Sequence, residues 1–187
     1  MRIIAGEMRS RKLKTPEGMD TRPTLDRVRE SLFSILQSEV RSARVLDLYA
    51  GSGALALEAL SRGASRAVLV DCAPKACRVI RENIEALGCK DRAELLRMKD
   101  TAALETLARE GKAFDVIFLD PPYRMDPAPI CAALAEKGLL SREGVIVVEH
   151  SRDREPNVPP PLTLSDRRGY GIVGLSFYRW AGKEEAT

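Results

Sequence analysis

The segment that most constrains the fold is a glycine loop set between a strand and a helix. A buried strand is predicted over Val45–Tyr49, and Gly51–Gly53 follows it where Ala54–Leu60 begins a helix. Asp71 lies 18 residues after Gly53, at the end of a second predicted strand. A strand, a glycine loop, a helix and a spaced carboxylate are typical of Rossmann-like sites for adenosine-containing cofactors. This pattern does not choose between NAD and S-adenosylmethionine.

The remainder of the chain repeats the alternation of strand and helix. We expect Thr24 to be the N-cap of a first helix, while Pro74 and Gly88 suit the start and the end of another. Two strand-like runs joined through Gly169–Gly171 close the chain as a hairpin. The class is therefore α/β, with a mostly parallel seven-stranded sheet, helices on both faces and a C-terminal antiparallel hairpin. The predicted strands cover residues 45–49, 67–70, 94–96, 114–119, 144–148, 162–167 and 172–180, and the predicted helices cover residues 25–36, 54–60, 74–87, 101–109 and 129–137.

Basic residues are concentrated at the start of the chain. Residues 1–14 hold five basic side chains and one acidic side chain, whereas the whole chain of 187 residues carries a net charge of +3. The rest of the chain is therefore nearly neutral. A basic segment on a neutral body is typical of proteins that contact phosphates, although a merely solvated N-terminus has the same composition.

The composition argues against several classes of protein. No apolar run is long enough to cross a bilayer, and no secretory pattern opens the chain, so we expect a cytoplasmic protein. The four cysteines form no CxxC pair, and His150 is the single histidine. We therefore expect no metal site and no hydrolase of the catalytic-triad type.

The most specific motif is Asp120-Pro121-Pro122-Tyr123, directly after the fourth predicted strand. Two prolines stop a strand and hold a rigid extended corner. The Asp120 carboxylate and the Pro121 carbonyl can accept the two N–H bonds of an exocyclic amino group, and Tyr123 can stack on the base. A sulfonium donor already activates its methyl group, so this chemistry requires neither a metal nor a strong base. The motif predicts methylation of an amino nitrogen, and the alternative is a plain Asp-Pro turn.

Two other carboxylates have two interpretations each. Asp47 could reach the amino-acid end of a methionine-derived cofactor, but a buried Asp bonded to loop amides has the same sequence context. Asp100 follows the third predicted strand and could meet the adenine amino group, or it could be a helix N-cap.

Runs along nearly the whole chain resemble one enzyme family. The likeness lies in residues 45–53, 58–64 and 120–123 and, at the front of the chain, in residues 2–6 and 22–30 (Arg-Pro-Thr-Leu-Asp-Arg-Val-Arg-Glu). The glycine motif and the motif at Asp120 are shared with many amino-methyltransferases. Together these runs resemble the bacterial 16S ribosomal RNA guanine-N2 methyltransferases of the RsmD type, and the run at 22–30 is the more family-specific part. Ala56 and Asp71 stand where relatives often carry Gly and Glu, and both residues suit the same roles.

This resemblance implies a Rossmann-like class I methyltransferase domain over residues 23–187, preceded by a basic N-terminal arm over residues 1–22 that contacts RNA. It implies transfer of a methyl group from S-adenosylmethionine to a guanine N2 in 16S ribosomal RNA, by a monomer acting on a partly assembled small subunit. Arg22 could lie near the cofactor or the substrate, or could form a structural salt bridge. The implied catalytic residues are Asp120, Pro121, Pro122 and Tyr123; the cofactor residues are Asp47, Tyr49, Ala50, Gly51, Ser52, Gly53, Asp71, Cys72, Asp100 and Thr101; and the RNA-binding residues are Arg9, Arg11, Lys12, Lys14 and Arg22.

Other functions stay open on the sequence alone. The nearest alternative is the same chemistry on adenine N6 in RNA or DNA, which the motif at Asp120 cannot separate from guanine. Glutamine-methylating enzymes usually carry Asn at the position of Asp120. An NAD-dependent oxidoreductase would leave Asp120–Tyr123 unexplained, and a non-catalytic RNA-binding protein would be expected to carry damaged motifs.

Overall fold

The computed structural model describes residues 1–16, 23–122 and 124–182, and within the first helix it describes side chains from Asp26 onward. Seven strands and six helices lie in these ranges. The strands are β1 (Arg44–Asp47), β2 (Arg66–Asp71), β3 (Ala93–Arg97), β4 (Phe114–Leu119), β5 (Leu140–Ser151), β6 (Leu162–Tyr170) and β7 (Val173–Trp180). The helices are α1 (Pro23–Ile35), α2 (Gln37–Val40), α3 (Ala54–Ser61), α4 (Pro74–Leu87), α5 (Asp100–Arg109) and α6 (Ala128–Glu136). In these described ranges, no helix combines the length and the apolar character that a membrane crossing needs.

The seven strands form one sheet in the order β3-β2-β1-β4-β5-β7-β6. Strands β1 to β5 run parallel to one another, whereas β7 is antiparallel to both β5 and β6. The predicted fold class is confirmed. The strand order reverses between β1 and β4, and in such sheets ligands bind beyond the carboxyl ends of the strands at this reversal.

Apolar side chains cover both faces of the sheet. Phe33 of α1, Leu57 of α3 and Ile80 of α4 are buried on one face, and Leu104 of α5 and Leu134 of α6 are buried on the other. Parallel strands enclosed in this way are apolar along most of their length, which explains the nearly continuous apolar sequence of β4.

The N-terminal segment is folded against the domain. Ile3, Met8 and Leu13 are buried and belong to the same core cluster as α1, α3 and α4. An antiparallel bridge joins Arg2 to Lys12, so the chain doubles back on itself. The basic side chains of this segment are thus carried on a doubled-back stretch that the core holds in place.

Several boundaries differ from the predictions. Helix α1 begins at Pro23, so Thr24 lies in its first turn and is not the N-cap, because proline suits the first helical position. Strand β1 ends at Asp47 rather than Tyr49, since the chain already turns there toward the glycine loop. The hairpin connection is shorter than expected, with Gly171 at a φ of +61° between β6 and β7. Helix α2 was not predicted, and β5 is longer than predicted.

Candidate active site

Several predicted site residues lie at the carboxyl edge of the sheet. They are those of the glycine loop, Asp71 and Asp120. Asp47 and Asp71 are the last residues of β1 and β2, and Asp120 follows the last residue of β4. Because parallel strands end on one edge, sequence-distant carboxylates are brought to the same crevice.

The glycine loop is tightly held by the protein itself. Gly53 has a φ of +80°, and a Cβ there would lie 2.9 Å from Cδ2 of Leu69. Backbone conformation and packing therefore both require glycine at this position. The backbone N–H of Gly51 donates to Oδ2 of Asp71 over 2.9 Å, which holds the carboxylate of β2 beside the loop. The other oxygen of Asp71 accepts the N–H of Ala73.

Asp47 is buried and bonded within the loop. Its Oδ2 accepts the backbone N–H of Ala56 over 3.3 Å, so the structure contains the internal bond that the sequence left as one of two interpretations. Burial raises the pKa of Asp47 to about 7, and the charges of Asp120 and Asp71 add to the rise, while the bond from Ala56 opposes it. The three carboxylates are thus close enough to influence one another.

Tyr49 contacts one residue that follows β3 and one that follows β4. Its hydroxyl donates to Oδ2 of Asp100 over 2.7 Å and also lies 3.2 Å from the sulfur of Met125. Burial and then the bond to Asp100 raise the pKa of the Tyr49 hydroxyl, so it stays a donor. Lys99 is the N-cap of α5, so the interpretation of Asp100 as the N-cap is wrong. The Oδ1 atom of Asp100 accepts the backbone N–H of Thr101.

The remaining predicted cofactor residues differ in exposure. Ala50 and Ser52 are buried. Cys72, directly after β2, and Thr101, in the first turn of α5, are exposed. The backbone carbonyl of Ser52 accepts a hydrogen bond of 2.9 Å from the buried amide of Asn83. Asn83 was not predicted, because its role depends on a contact between α4 and the loop.

A cavity of about 350 Å³ opens beside Asp120. Its walls come from the segment after β4 and from the end of β5 with the residues that follow it. Asp120 lies at its rim as an exposed residue, yet protein atoms surround its carboxyl closely enough that desolvation raises its pKa. Pro121 and Pro122 line the cavity, and Tyr123 lies outside the described residues.

A second carboxylate, Glu149 near the end of β5, shares this cavity with Asp120. Desolvation raises the pKa of Glu149, and the charge of Asp120 raises it further. Glu149 was not predicted as a site residue, because an acidic residue after an apolar run is an ordinary way for a strand to reach solvent. Only the pairing of β5 with β4 relates it to the predicted motif.

The predicted RNA-binding residues of the arm are all exposed where the structure describes them. The guanidinium of Arg11 bonds to the carbonyl of Ala86, and the ammonium of Lys14 lies 2.9 Å from the carboxylate of Glu82. The backbone of Lys14 also bonds to Asn83, which joins the end of the arm to the glycine loop. Arg22 lies outside the described residues.

The crevice and the cavity suit two adjacent molecules. The glycine loop with Asp71 can hold a nucleoside, and the cavity presents carboxylates to a group rich in N–H donors. Within residues 1–16, 23–122 and 124–182, no group of three metal-ligating side chains could hold an ion. This geometry suits the transfer of a group between a nucleoside cofactor and an amine.

Comparison with known proteins gives consistent matches across the chain. A family model described as Conserved hypothetical protein 95 matches residues 1–179. The chain is 36% identical to Ribosomal RNA small subunit methyltransferase D of Escherichia coli strain K12, across 100% of this chain and 93% of the relative. It is 34% identical to the protein of the same name from Haemophilus influenzae, across 96% of this chain and 93% of the relative.

Solved structures agree with this likeness. The structure of yhhF from Escherichia coli matches with a TM-score of 0.84 and 36% identity, across 96% of this chain and 97% of that chain. SMU.776, solved as a complex with SAH, matches with a TM-score of 0.64 and 18% identity, across 81% of this chain and 48% of that chain. At such low identity, the second likeness bears on the fold alone.

Proposed function

We propose that this chain, which belongs to the family described as Conserved hypothetical protein 95, methylates the N2 amino group of a guanine in 16S ribosomal RNA. The chain is a ribosomal RNA methyltransferase of the small subunit, since relatives that are 36% and 34% identical over nearly all of its length bear that name. The methyl donor, the target atom and the assembly state of the substrate are the finer parts of this proposal.

The observation that carries the proposal is the position of Asp120 between the crevice at the glycine loop and the cavity beyond β4 and β5. Asp120 directly follows β4, in which Phe118 is the partner of Asp47 in β1, and Asp120 lines the cavity that opens beyond β4 and β5. A carboxylate in this position can face a substrate in the cavity and a cofactor in the crevice at once. Such placement is what a direct transfer between two bound molecules requires.

The residues of the crevice fit S-adenosylmethionine. Asp71 ends β2 beside the loop, where one carboxylate can accept two ribose hydroxyls. Buried Asp47 would pair with the amino group of the methionine part. When bound, S-adenosylmethionine supplies a methyl group that its sulfonium sulfur already activates.

The residues of the cavity would hold and orient the amine. The Asp120 carboxylate and the Pro121 carbonyl would each accept one N–H of the exocyclic amino group, which turns the nitrogen lone pair toward the donor. Tyr123 would stack on the base, as aromatic side chains do in enzymes that extract a base from its helix. Orientation of this kind supplies a large part of the rate enhancement without a metal.

The arm would bind the RNA around the target nucleotide. Arg9, Arg11, Lys12 and Lys14 present exposed positive charge on a stretch that the core holds in place. Contacts to phosphates position a protein on RNA without reading its sequence. We also propose that Arg22 contacts the RNA and that the substrate is a partly assembled small subunit. The enzyme would act as a monomer in the cytoplasm.

The test is transfer of labelled methyl from S-adenosylmethionine to small ribosomal subunits from cells that lack this enzyme, followed by nucleoside analysis. Labelled N2-methylguanosine is the expected product. Label on adenosine would keep the chemistry and overturn the choice of base. Absence of label on any ribosomal RNA would overturn the proposal, and calorimetry with NAD in place of S-adenosylmethionine would then test the oxidoreductase alternative.

A further inference from the structure

We propose that Glu149 selects guanine by accepting the hydrogen of the ring nitrogen N1, while Asp120 holds the neighbouring N2 amino group. This inference rests on the proposed function and deepens it, because it names the residue that would separate guanine from adenine. The predicted motif at Asp120 binds an amino group on either base, so a second recognition element is required.

The register of the sheet brings the two carboxylates together. Phe118 of β4 is the partner of Val147 of β5, and both side chains are buried in the same core cluster. Side chains along a strand alternate between the two faces. Asp120 lies two residues after Phe118, and Glu149 lies two residues after Val147. The pairing of β4 with β5 therefore brings the two residues to neighbouring positions at the carboxyl edge of the sheet, where they line one cavity.

Both acidic residues line one cavity that can hold a ligand. Asp120 and Glu149 line the same space of about 350 Å³. The other charged or titratable walls are Arg124, Asp126, His150, Arg154 and Glu155. Glu155 is bonded to Arg167, and His150 to Ser176, so these two side chains already have protein partners. Burial is the main cause of the raised pKa of Glu149, and the charge of Asp120 adds to it.

The hydrogen-bonding edges of the two bases differ at the atom that Glu149 would meet. Guanine presents an N1–H donor directly beside its N2 amino group, so three adjacent N–H bonds can meet two carboxylates and the Pro121 carbonyl. Adenine presents an unprotonated N1 beside its amino group, and the ionised carboxylate of Glu149 would be repelled by that lone pair. Because burial and the charge of Asp120 raise the pKa of Glu149 to about 8, this discrimination is strongest above that pH. A site built to bond an N–H rejects an analogue that lacks it, because its own polar group is left unpaired.

The neighbouring carboxylates of Asp120 and Glu149 suit a ligand edge that presents only N–H donors. Desolvation raises the pKa of both groups, and repulsion from the charge of Asp120 raises that of Glu149 further. Donors from the guanine edge would relieve that repulsion when the base enters. The positive charge that develops on N2 during methylation would be stabilised by the same pair.

The experiment uses a base that keeps the C2 amino group but lacks the N1 hydrogen, namely 2-aminopurine. Small subunits are reassembled around 16S ribosomal RNA that carries guanine or 2-aminopurine at the mapped target nucleotide. The ratio kcat/KM is measured for each above pH 8, where Glu149 is ionised. The wild-type enzyme is expected to prefer guanine by roughly 10- to 100-fold, the value of one hydrogen bond to a charged group. In Glu149→Gln the preference should fall close to one, because an amide can accept from N1–H or donate to a bare N1.

Glu155→Gln is the matched control, since it neutralises another carboxylate of the same cavity and should leave the preference unchanged. Equal use of guanine and 2-aminopurine by the wild-type enzyme would overturn the inference even if Glu149→Gln failed to fold. A preserved preference in a folded Glu149→Gln protein would also overturn it. Both outcomes leave the proposed function intact, whereas a wild-type enzyme that methylates neither substrate would overturn the proposed function as well.

Discussion

The carboxylate of Glu58 accepts the backbone N–H of Ile4 over 2.7 Å, although 54 residues separate them. Its second oxygen accepts the N–H of Ala5 over 3.0 Å, and Arg62 lies 2.7 Å from that oxygen. Glu58 is fully buried. One side chain of α3 thus satisfies two backbone donors of the N-terminal segment and holds it to the domain.

Glu58→Gln is expected to lower the free energy of unfolding by about 1–3 kcal/mol, because the amide keeps one acceptor and turns an N–H group toward a backbone donor. Urea denaturation measures this loss. Glu82→Gln is the control, since Glu82 also pairs with the arm through Lys14 but lies exposed, and it should change stability little. Equal losses in the two variants would contradict the anchoring role of Glu58.

The segment that Glu58 anchors also passes very close to α3. Gly6 has a φ of +87°, and a Cβ there would lie 1.8 Å from the backbone oxygen of Ser61. Gly6→Ala is expected to destabilise the protein by at least about 2 kcal/mol, from strain and overpacking together. Gly111→Ala has a similar backbone conformation in open space, so it reports the strain alone. Thermal unfolding of both variants measures the difference, and equal melting temperatures would contradict the close approach.

These contacts show where prediction from the sequence succeeded and where it stopped. The loop at Gly51–Gly53, Asp71 and Asp120 were placed correctly at strand ends, because strands and turns have local signals. The folded state of residues 1–16 was missed, because its partner Glu58 is a charged residue in an otherwise apolar helix. Charge density identified the basic side chains, but it could not identify Ile3 as part of the core.

The family-specific run at residues 22–30 likewise acquires a physical reason only in three dimensions. Arg29 is buried, and its guanidinium donates to the carbonyl of Arg2 over 2.6 Å and to Asp26 over 3.1 Å. Burial lowers the pKa of Arg29, while the charges of Glu58 and Asp26 oppose that change. No local pattern distinguishes an arginine that braces another segment from one that meets solvent.

Asp47 should make stability depend on pH. Its pKa is about 7 in the folded protein, well above the ordinary value of 3.8, so the folded state holds a proton that the unfolded state has lost. Stability contributed by this proton is present at low pH and is lost as the pH rises from about 4 to about 7. Relative to Asp47→Asn, the wild-type protein should lose up to about 4 kcal/mol of unfolding free energy over that range. Urea denaturation at pH 4.5 and pH 8 measures this, and parallel stability profiles would contradict it.

The exposed charges of the arm should control affinity for RNA in a salt-dependent way. The double variant Arg9→Glu, Lys12→Glu is expected to bind 16S ribosomal RNA more weakly and to reduce the slope of log affinity against log salt by about one per lost phosphate contact. The control is Arg66→Glu, Arg109→Glu, which changes the net charge equally at the start of β2 and the end of α5. Filter binding at several salt concentrations compares them, and identical slopes would move the RNA surface elsewhere.

Asp120 should matter for methyl transfer and hardly at all for cofactor binding. Asp120→Ala removes the acceptor that orients the amino group, so the single-turnover rate should fall by roughly 100-fold or more. The affinity for S-adenosylmethionine, measured by calorimetry, should stay nearly unchanged, because the glycine loop and Asp71 form their bonds without Asp120. Asp126→Ala removes another carboxylate of the same cavity, one whose bond is to the backbone N–H of Ala128, and should retain most of the rate. Full activity in Asp120→Ala would show that the amine is held by other groups.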